Sequence, residues 1–207
     1  MKSKNFLKCV SIAIMSLALC TMSCKKDDPE PPATNDNGGN NNGGNNNGGG
    51  GEESFVIGQS YQGGIIAYID NTGKHGLIAA AADQSTGIRW YNGTFLTIET
   101  GTAIGKGQDN TKRIVQYQGN GDYAAKICND LTLNGYKDWY LPSKDELNCL
   151  YKNRFEIGGF DYSDIYWSSS EGVFGDQYVW CQKFSDGVQH DNYDKDESYR
   201  VRAVRSF

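Results

Sequence analysis

Gly135-Tyr136-Lys137-Asp138-Trp139-Tyr140-Leu141-Pro142-Ser143-Lys144-Asp145-Glu146-Leu147 is where this chain changes structural type. Trp139 and Leu141 should pack the core, and Pro142 announces the helix that follows. The Ser143 hydroxyl can then cap a helix while the Glu146 carboxylate reaches back to the Ser143 amide, a reciprocal capping box. Leu147, Leu150 and Tyr151 continue as one apolar helical face. Asp145 and Glu146 are neighbours on that helix and point in different directions, so they read as cap and dipole complement, not as a catalytic carboxylate pair.

Working towards the N-terminus, residues 122–133 carry Ala124, Ile127, Cys128 and Leu131 at helical spacing, with Gly135 as the stop. Residues 102–111, containing Gly105-Lys106-Gly107, read as loop. This Gly-x-Gly has no Walker Lys-Ser/Thr pair after it, and a structural turn is the better reading. Gly64-Ile65-Ile66-Ala67-Tyr68-Ile69 and Gly76-Leu77-Ile78-Ala79-Ala80 predict two strands joined through Asp70-Asn71-Thr72-Gly73-Lys74-His75. The Asn/Gly chemistry makes this a hairpin and gives His75 a structural place in its turn. Two helices flanked by strands, with a strand closing the chain, is an α+β order.

Residues 166–207 interleave two kinds of position. Tyr166-Trp167-Ser168-Ser169-Ser170-Glu171, then Trp180, Gln182, Phe184, Gly187, Gln189 and the closing Tyr199-Arg200-Val201-Arg202-Ala203-Val204-Arg205, form a framework of strand-forming and small residues. Between them Val173, Phe174, Asp176, Tyr178, Cys181, Ser185, Val188, His190, Asp191, Tyr193, Asp194, Asp196 and Ser198 share no property that a core selects. A fixed scaffold carrying a replaceable ligand-binding surface fits this pattern. Tyr, His, Asn, Ser and Asp on a rigid frame supply large contact area and adaptable hydrogen bonds. Phe174, Tyr178, His190 and Tyr193 are the expected anchors, and Asp176, Asp191, Asp194 and Asp196 the polar contacts.

The first residues speak for export. Lys2, Lys4 and Lys8 form a basic n-region, and the apolar run over 10–19 is short for a bilayer span. Residues 1–23 read as a signal peptide, and Leu19-Cys20-Thr21-Met22-Ser23-Cys24 resembles a lipobox that makes Cys24 the lipidated mature N-terminus. Lys25-Lys26-Asp27-Asp28 follows, an acidic element resembling the tags that send lipoproteins of some Gram-negative groups to the outer surface. The expected location is the outer membrane, lipid-anchored and surface-exposed. Residues 24–54 are a tether: Pro29, Pro31 and Pro32 stiffen its start, and residues 35–51 are almost wholly Asn and Gly. That portion spans on the order of 20–25 Å as a flexible coil.

Residues 55–207 have the size of one domain with its own core. The net charge of -5 gives no basic surface for nucleic acid. Of the six cysteines, Cys128, Cys149 and Cys181 belong to the domain; Cys128 with Cys149 is the one disulfide pairing considered, since both fall on predicted helices. No Cys/His spacing points to a metal, and no cofactor is expected.

Gly64-Ile65-Ile66, Lys74-His75-Gly76-Leu77-Ile78-Ala79, the stretch 135–147, Tyr166-Trp167-Ser168-Ser169-Ser170-Glu171 and Arg200-Val201-Arg202-Ala203-Val204-Arg205 together resemble the bacterial Lcl C-terminal, or major paralogous, domain. That family is similar in fold to C-type lectins and formylglycine-generating enzymes. The resemblance implies a C-type-lectin-like domain: two helices around a twisted, mainly antiparallel sheet, with a C-terminal binding face for an external protein or glycan. It further implies that some members are variable targets of diversity-generating retroelements, in which template Asn codons are randomised to a set that excludes Lys, Glu, Gln, Trp and Met. The mixed positions all fall within the reachable set, whereas Trp180, Gln182, Lys183, Gln189, Lys195 and Glu197 fall outside it and would have to be frame, or be altered at a single adenine of a different codon. A fixed-specificity adhesin or fimbrial-tip-like domain is the alternative. The calcium-binding sugar motifs Glu-Pro-Asn, Gln-Pro-Asp and Trp-Asn-Asp do not occur, although Asp186, Asp191, Asp194, Asp196 and Glu197 are a possible cation cluster. Formylglycine-type oxidation lacks its thiol arrangement, so no enzyme is expected.

Overall fold

The computed structural model describes residues 54–174 and 176–207. The expected signal peptide, the lipidated Cys24 and nearly all of the tether lie outside them. No helix of the described residues is long and apolar enough to cross a membrane.

The described chain is α+β. Strands β1 (Ser60–Tyr61), β2 (Gly64–Ile69), β3 (Gly76–Ala79) and β4 (Ser85–Ile88) are followed by helices α1 (Gly107–Gln118), α2 (Ala124–Asn129), α3 (Lys144–Lys152) and α4 (Arg154–Ile157). Then come β5 (Ile165–Glu171), β6 (Tyr178–Lys183), β7 (Gln189–Asp194), β8 (Tyr199–Val201) and β9 (Val204–Ser206). There are two sheets, a four-stranded one of order β1-β2-β3-β9 and a five-stranded one of order β4-β8-β5-β6-β7. Every pairing is antiparallel except β5 with β8.

The predicted hairpin is β2–β3, in register Ile66↔Ile78 and Ile69↔Gly76. Its turn is held by Asp70, whose carboxylate accepts from the Thr72 hydroxyl and the Thr72 and His75 amides. The closing arginine-rich motif is split between the sheets: β8 lies beside β5, and β9 pairs with β3 as Ile78↔Arg205. Its middle residues, Arg202 and Ala203, are therefore buried at the junction.

Among the described residues four helices replace the two expected. The region expected to be loop is where α1 starts, and the reason is chemical: the buried face of α1 is Gly107, Asn110, Thr111, Ile114 and Gln118, mostly polar. Asn110 donates to the Gly101 carbonyl and the Ser169 hydroxyl, and the Leu141 amide donates to Thr111 Oγ1. An apolar periodicity search passes over a helix that buries amides. The helix expected over 122–133 is shorter, because at Asn134 (φ 52°) and Gly135 (φ 86°) the chain reverses and Leu133 pairs with Tyr136.

Two apolar clusters flank the five-stranded sheet. One gathers Ile78, Trp90, Ile98, Ile114, Tyr123, Cys128, Trp139, Leu141, Trp167, Val179 and Val201; the other gathers Leu77, Tyr140, Leu147, Leu150, Phe160, Tyr166 and Phe184. Trp139 and Leu141 are core residues, as the junction motif requires. Cys128 and Cys181 are buried thiols that burial pushes well above the ordinary range, and no disulfide joins Cys128 to Cys149.

The capping box at α3 is present in both directions and carries more than a cap. Glu146 is fully buried; its Oε2 accepts from the Ser143 amide at 2.7 Å and its Oε1 from the Gly105 amide at 2.8 Å. Gly105-Lys106-Gly107 thus does cradle an anion at a helix start, and the anion is the protein's own Glu146. Burial raises the Glu146 carboxyl above its usual range against the pull of these amides. A Cβ on Gly107 would run into Glu146 Oε2 and stand 2.8 Å from Tyr140 Cε2. Gly107→Ala is therefore expected to destabilise the domain by about 1–3 kcal/mol in urea unfolding, although alanine is the better helix former.

Candidate functional site

The framework motif 166–171 does not pair with β6 along its whole length. Trp167↔Cys181 and Glu171↔Val179 bracket an irregularity in which Ser168, Ser169 and Ser170 turn to other partners. Ser168 Oγ donates to the Trp180 carbonyl, the Ser169 amide to the Pro142 carbonyl, and Ser170 Oγ to the Gly101 carbonyl while accepting from the Lys144 amide. Three small hydroxyl residues fit where the strand is sandwiched between α1, the start of α3 and β6, and larger side chains would not.

Glu171 ends this run and anchors the far end of the sheet. Its Oε2 accepts from the Ile98 and Glu99 amides, and its Oε1 meets Lys195 Nζ at 2.7 Å. Lys195 is fully buried, donates also to the Leu96 carbonyl at 2.8 Å, and lies over the Trp90 ring. Burial pulls its ammonium down while Glu171 pulls it back up. One buried ion pair thus ties together the segment 96–99, the end of β5 and the exit from β7.

Beyond this clamp lie the described residues of the β5–β6 connection, 173, 174, 176 and 177. The Gly172 amide closes it on the Tyr178 carbonyl, and the Lys195 amide docks on the Gln177 carbonyl. A Cβ on Gly172 would collide with the Asp191 carbonyl, so glycine lets the bulged part of β7 approach. Val173 and Phe174 project from this turn with 70% and 66% of their surface exposed. Tyr178 is paired with Asp194 on β7, and Asp176 and Asp196 are exposed on the two adjoining turns.

The thirteen candidate positions do not form one face. Val173, Phe174, Asp176, Tyr178, Asp191, Asp194, Asp196 and Ser198 belong to the β5–β6 turn, to the end of β7 or to the chain leaving it. Ser185 and Val188 lie on the β6–β7 turn at the other end of the hairpin, about 17 Å away for five strand residues. Strand alternation divides the anchors too. His190 and Tyr193 pair with Cys181 and Val179 on the core-facing side, whereas Tyr178 is on the opposite side. Tyr193 is half-buried in an edge-to-face series with His190 at 5.7 Å and Tyr199 at 5.2 Å, and Tyr199 meets Trp167 at 4.7 Å. Cys181 is a correction: only 1% exposed, it packs in the core and has no surface to offer a ligand. The alternation of framework and mixed residues hid this, because cysteine is chemically compatible with both.

The supposed acidic cluster is also divided. Asp186 sits on the β6–β7 turn, accepting from the Val188 amide beside Lys183, while Asp194 and Asp196 stand at the opposite end. Among the described residues no group of His, Cys, Asp and Glu is placed to hold a metal ion. Of the framework residues named from codon chemistry, Gln182 is buried and donates to Asn148 and to the Gly187 carbonyl, Gln189 donates to the Lys144 carbonyl, and Lys195 is buried, whereas Lys183 is half-exposed and Glu197 lies on the surface.

The other structural pillars are the three closing arginines. Arg200 reaches Asp83, Asp161 and Asp164. Arg202 is buried against Asp83, the Ala80, Gly158 and Gly159 carbonyls and the Phe160 ring. Arg205 grips Asp138 with two bonds of 2.8 and 2.9 Å and covers the Tyr136 ring.

The family model of the Lcl C-terminal domain matches residues 79–205, from β3 to the middle of β9. The chain belongs to that family. Its Lcl C-terminal domain contains every element of the five-stranded sheet, all four helices and all thirteen candidate positions; β1 and β2 precede the matched stretch. No curated protein matches the chain. Among solved structures, a fimbrial protein from Bacteroides ovatus ATCC 8483 is similar at 15% identity and a TM-score of 0.44, with 62% of this chain covered. This chain spans about a third (35%) of that protein's length.

The Asp138 carboxyl is held below its ordinary range by the Arg205 guanidinium. A depressed folded-state value gives stabilisation that is complete above the unfolded carboxylate pKa, about 3.9, and is lost as pH falls through the folded value. Urea midpoints of the Lcl C-terminal domain should therefore drop below about pH 4, and Asp138→Asn should flatten that drop.

Proposed function

We propose that this protein is a lipoprotein, anchored through Cys24 at the outer membrane and exposed on the cell surface, whose Lcl C-terminal domain binds an external protein or glycan. The contact surface is the end of the five-stranded sheet built by the β5–β6 turn and the exit from β7. The supporting observation is the pairing of opposites there: Val173 and Phe174 are large apolar side chains left in solvent, and the turn that carries them rests on the buried Glu171–Lys195 clamp. Exposed apolar groups on a rigid mount are the anchors that interfaces use. Tyr178, Asp176, Asp191, Asp194 and Asp196 supply polar contacts around them, and Ser185 and Val188 form a separate edge.

We read the architecture as C-type-lectin-like. The return of β9 to the β2–β3 hairpin and the two mainly antiparallel sheets flanked by helices support this. Binding without catalysis is the favoured activity, since the Cys128 and Cys181 thiols are buried with their pKa raised and make poor nucleophiles.

Diversification by a retroelement would act on the exposed subset, Val173, Phe174, Asp176, Ser185, Val188, Asp196 and Ser198. A fixed-specificity adhesin is favoured by one observation: Cys181 and Tyr193, both within the reachable codon set, pack against the core, where random exchange would unfold the domain. A near-copy of the gene's 3′ end, mismatched only at adenines and beside a reverse transcriptase gene, decides between them.

The binding test is a screen of the purified protein against arrayed extracellular proteins and glycans, with Phe174→Ala/Tyr178→Ala alongside. The double variant should lose at least tenfold in affinity for whatever binds while unfolding within about 1 kcal/mol of the parent. Unchanged binding by the variant contradicts the assignment. Palmitate labelling that is lost in Cys24→Ala, together with cleavage of the domain by protease added to intact cells, tests the anchor and its exposure.

A further inference from the structure

The β1–β2 turn frames an open cavity of about 400 Å³. That volume lies within the range of small-molecule sites, about 300–1000 Å³. Its wall includes Ser60, Tyr61, Gln62, Gly63, Ala81 and Asn134, and no lining residue is charged. The strand and turn residues among them precede residue 79, so the family match does not account for the cavity.

The walls are fixed in advance. Gln62 and Gly63 have φ of 42° and 87°, the left-handed backbone of a tight two-residue turn between β1 and β2. Arg205 donates to the Gln62 side-chain oxygen at 2.8 Å and to its carbonyl at 3.2 Å, which leaves the amide NH2 of Gln62 as a donor. Arg205 is itself held by Asp138 and stacked on Tyr136. Asn134 donates to the Gly63 carbonyl at 2.8 Å, which leaves its side-chain oxygen as an acceptor. A Cβ on Gly63 would press into the Tyr136 ring at 2.7 Å, and one on Gly64 would run into the Ala79 carbonyl and the Ile78 side chain, so both turn positions require glycine. The Tyr61 ring is set by Phe55 and Phe207 at centroid distances of 5.0 and 5.5 Å.

We infer that this cavity is a second binding site, for a neutral saccharide. The Gln62 side-chain NH2, the Asn134 side-chain oxygen and the Ser60 hydroxyl match the uncharged donors and acceptors of a sugar, and the Tyr61 side chain is part of the same lining. An anionic or cationic ligand would find no counter-charge, because Arg205 and Asp138 neutralise each other outside the lining. The inference does not rest on the function proposed for the β5–β6 turn.

The test is a titration of the 15N-labelled full chain with maltose, lactose and cellobiose, and in parallel with glucuronic acid, sialic acid and glucosamine. At least one neutral disaccharide should give saturable shifts at the Gly63, Gly64 and Asn134 amides with a millimolar dissociation constant, at least tenfold tighter than any charged sugar. Ala81→Phe, at an exposed position, fills the cavity without removing a hydrogen bond and should abolish the shifts. Asn134→Gly tolerates the positive φ and should weaken binding at least fivefold. Saturable shifts with none of the neutral sugars, equal binding of charged ones, or shifts that survive Ala81→Phe would each overturn it.

Discussion

Replacing Lys195 by methionine is expected to cost about 3–5 kcal/mol of stability, because it leaves the buried Glu171 carboxylate without its counter-charge. The loss should appear as a fall in the urea midpoint and in Tm, by roughly 2–4 °C per kcal/mol for a domain of this size. The Ile98 and Glu99 amides still donate to Glu171, so the charge is not wholly abandoned. The damage should therefore be local first, with amide exchange accelerating in 96–99 and 194–197 before the core opens. Glu171→Gln in the same chain removes the stranded charge, and the double variant should recover at least 1 kcal/mol relative to Lys195→Met alone. A fall no larger than that of a surface lysine would show that the clamp is not what holds the end of the sheet.

The second large effect is at Arg202. Arg202→Met removes one of the two arginine partners of Asp83, leaving it Arg200, and leaves the Ala80, Gly158 and Gly159 carbonyls without this donor at the junction between the two sheets. The expected loss is again about 3–5 kcal/mol, combining a broken buried pair with unmet acceptors. Arg202→Lys keeps the charge but has a single ammonium where the guanidinium reaches four groups, so it should recover only part of the loss. Because β8 and β9 leave this point for different sheets, the unfolding transition of the methionine variant should broaden. Circular dichroism at several denaturant concentrations, compared with tryptophan fluorescence, measures whether the sheets still melt together.

The parts legible in the sequence are those where local chemistry and tertiary placement agree. The β2–β3 hairpin declares itself by apolar strands around Asp70-Asn71-Thr72-Gly73, and α3 by Pro142, Ser143 and Glu146. The mixed positions at 173, 174, 176, 196 and 198 are on the surface because the residues between them belong to strands that pack. The parts not legible are those where a polar residue is buried for a partner far along the chain. Asn110, Thr111 and Gln118 hide α1 from any apolar count. Glu146 looks like a cap and is also the anion inside Gly105-Lys106-Gly107. Lys195 could be marked as framework only by codon chemistry; that it meets Glu171 beneath the turn carrying Phe174 is a fact of folding. Cys181 misled because it stands between the framework residues Trp180 and Gln182 and so falls at a mixed position of the alternation, while its pairing with Trp167 on β5 sets it inward. The cavity beside Gln62 gave no signal, since it is made of turn backbone and of Asn134, seventy-one residues away from the Gly63 it touches.

The most direct test of a stiff frame with an exchangeable surface is the equilibrium unfolding of one multiply substituted chain, with Val173, Phe174, Asp176, Ser185, Val188, Asp196 and Ser198 all changed to alanine. A single cooperative transition within about 1 kcal/mol of the parent is the predicted result. A non-cooperative transition, or a loss as large as that of Lys195→Met, would contradict it.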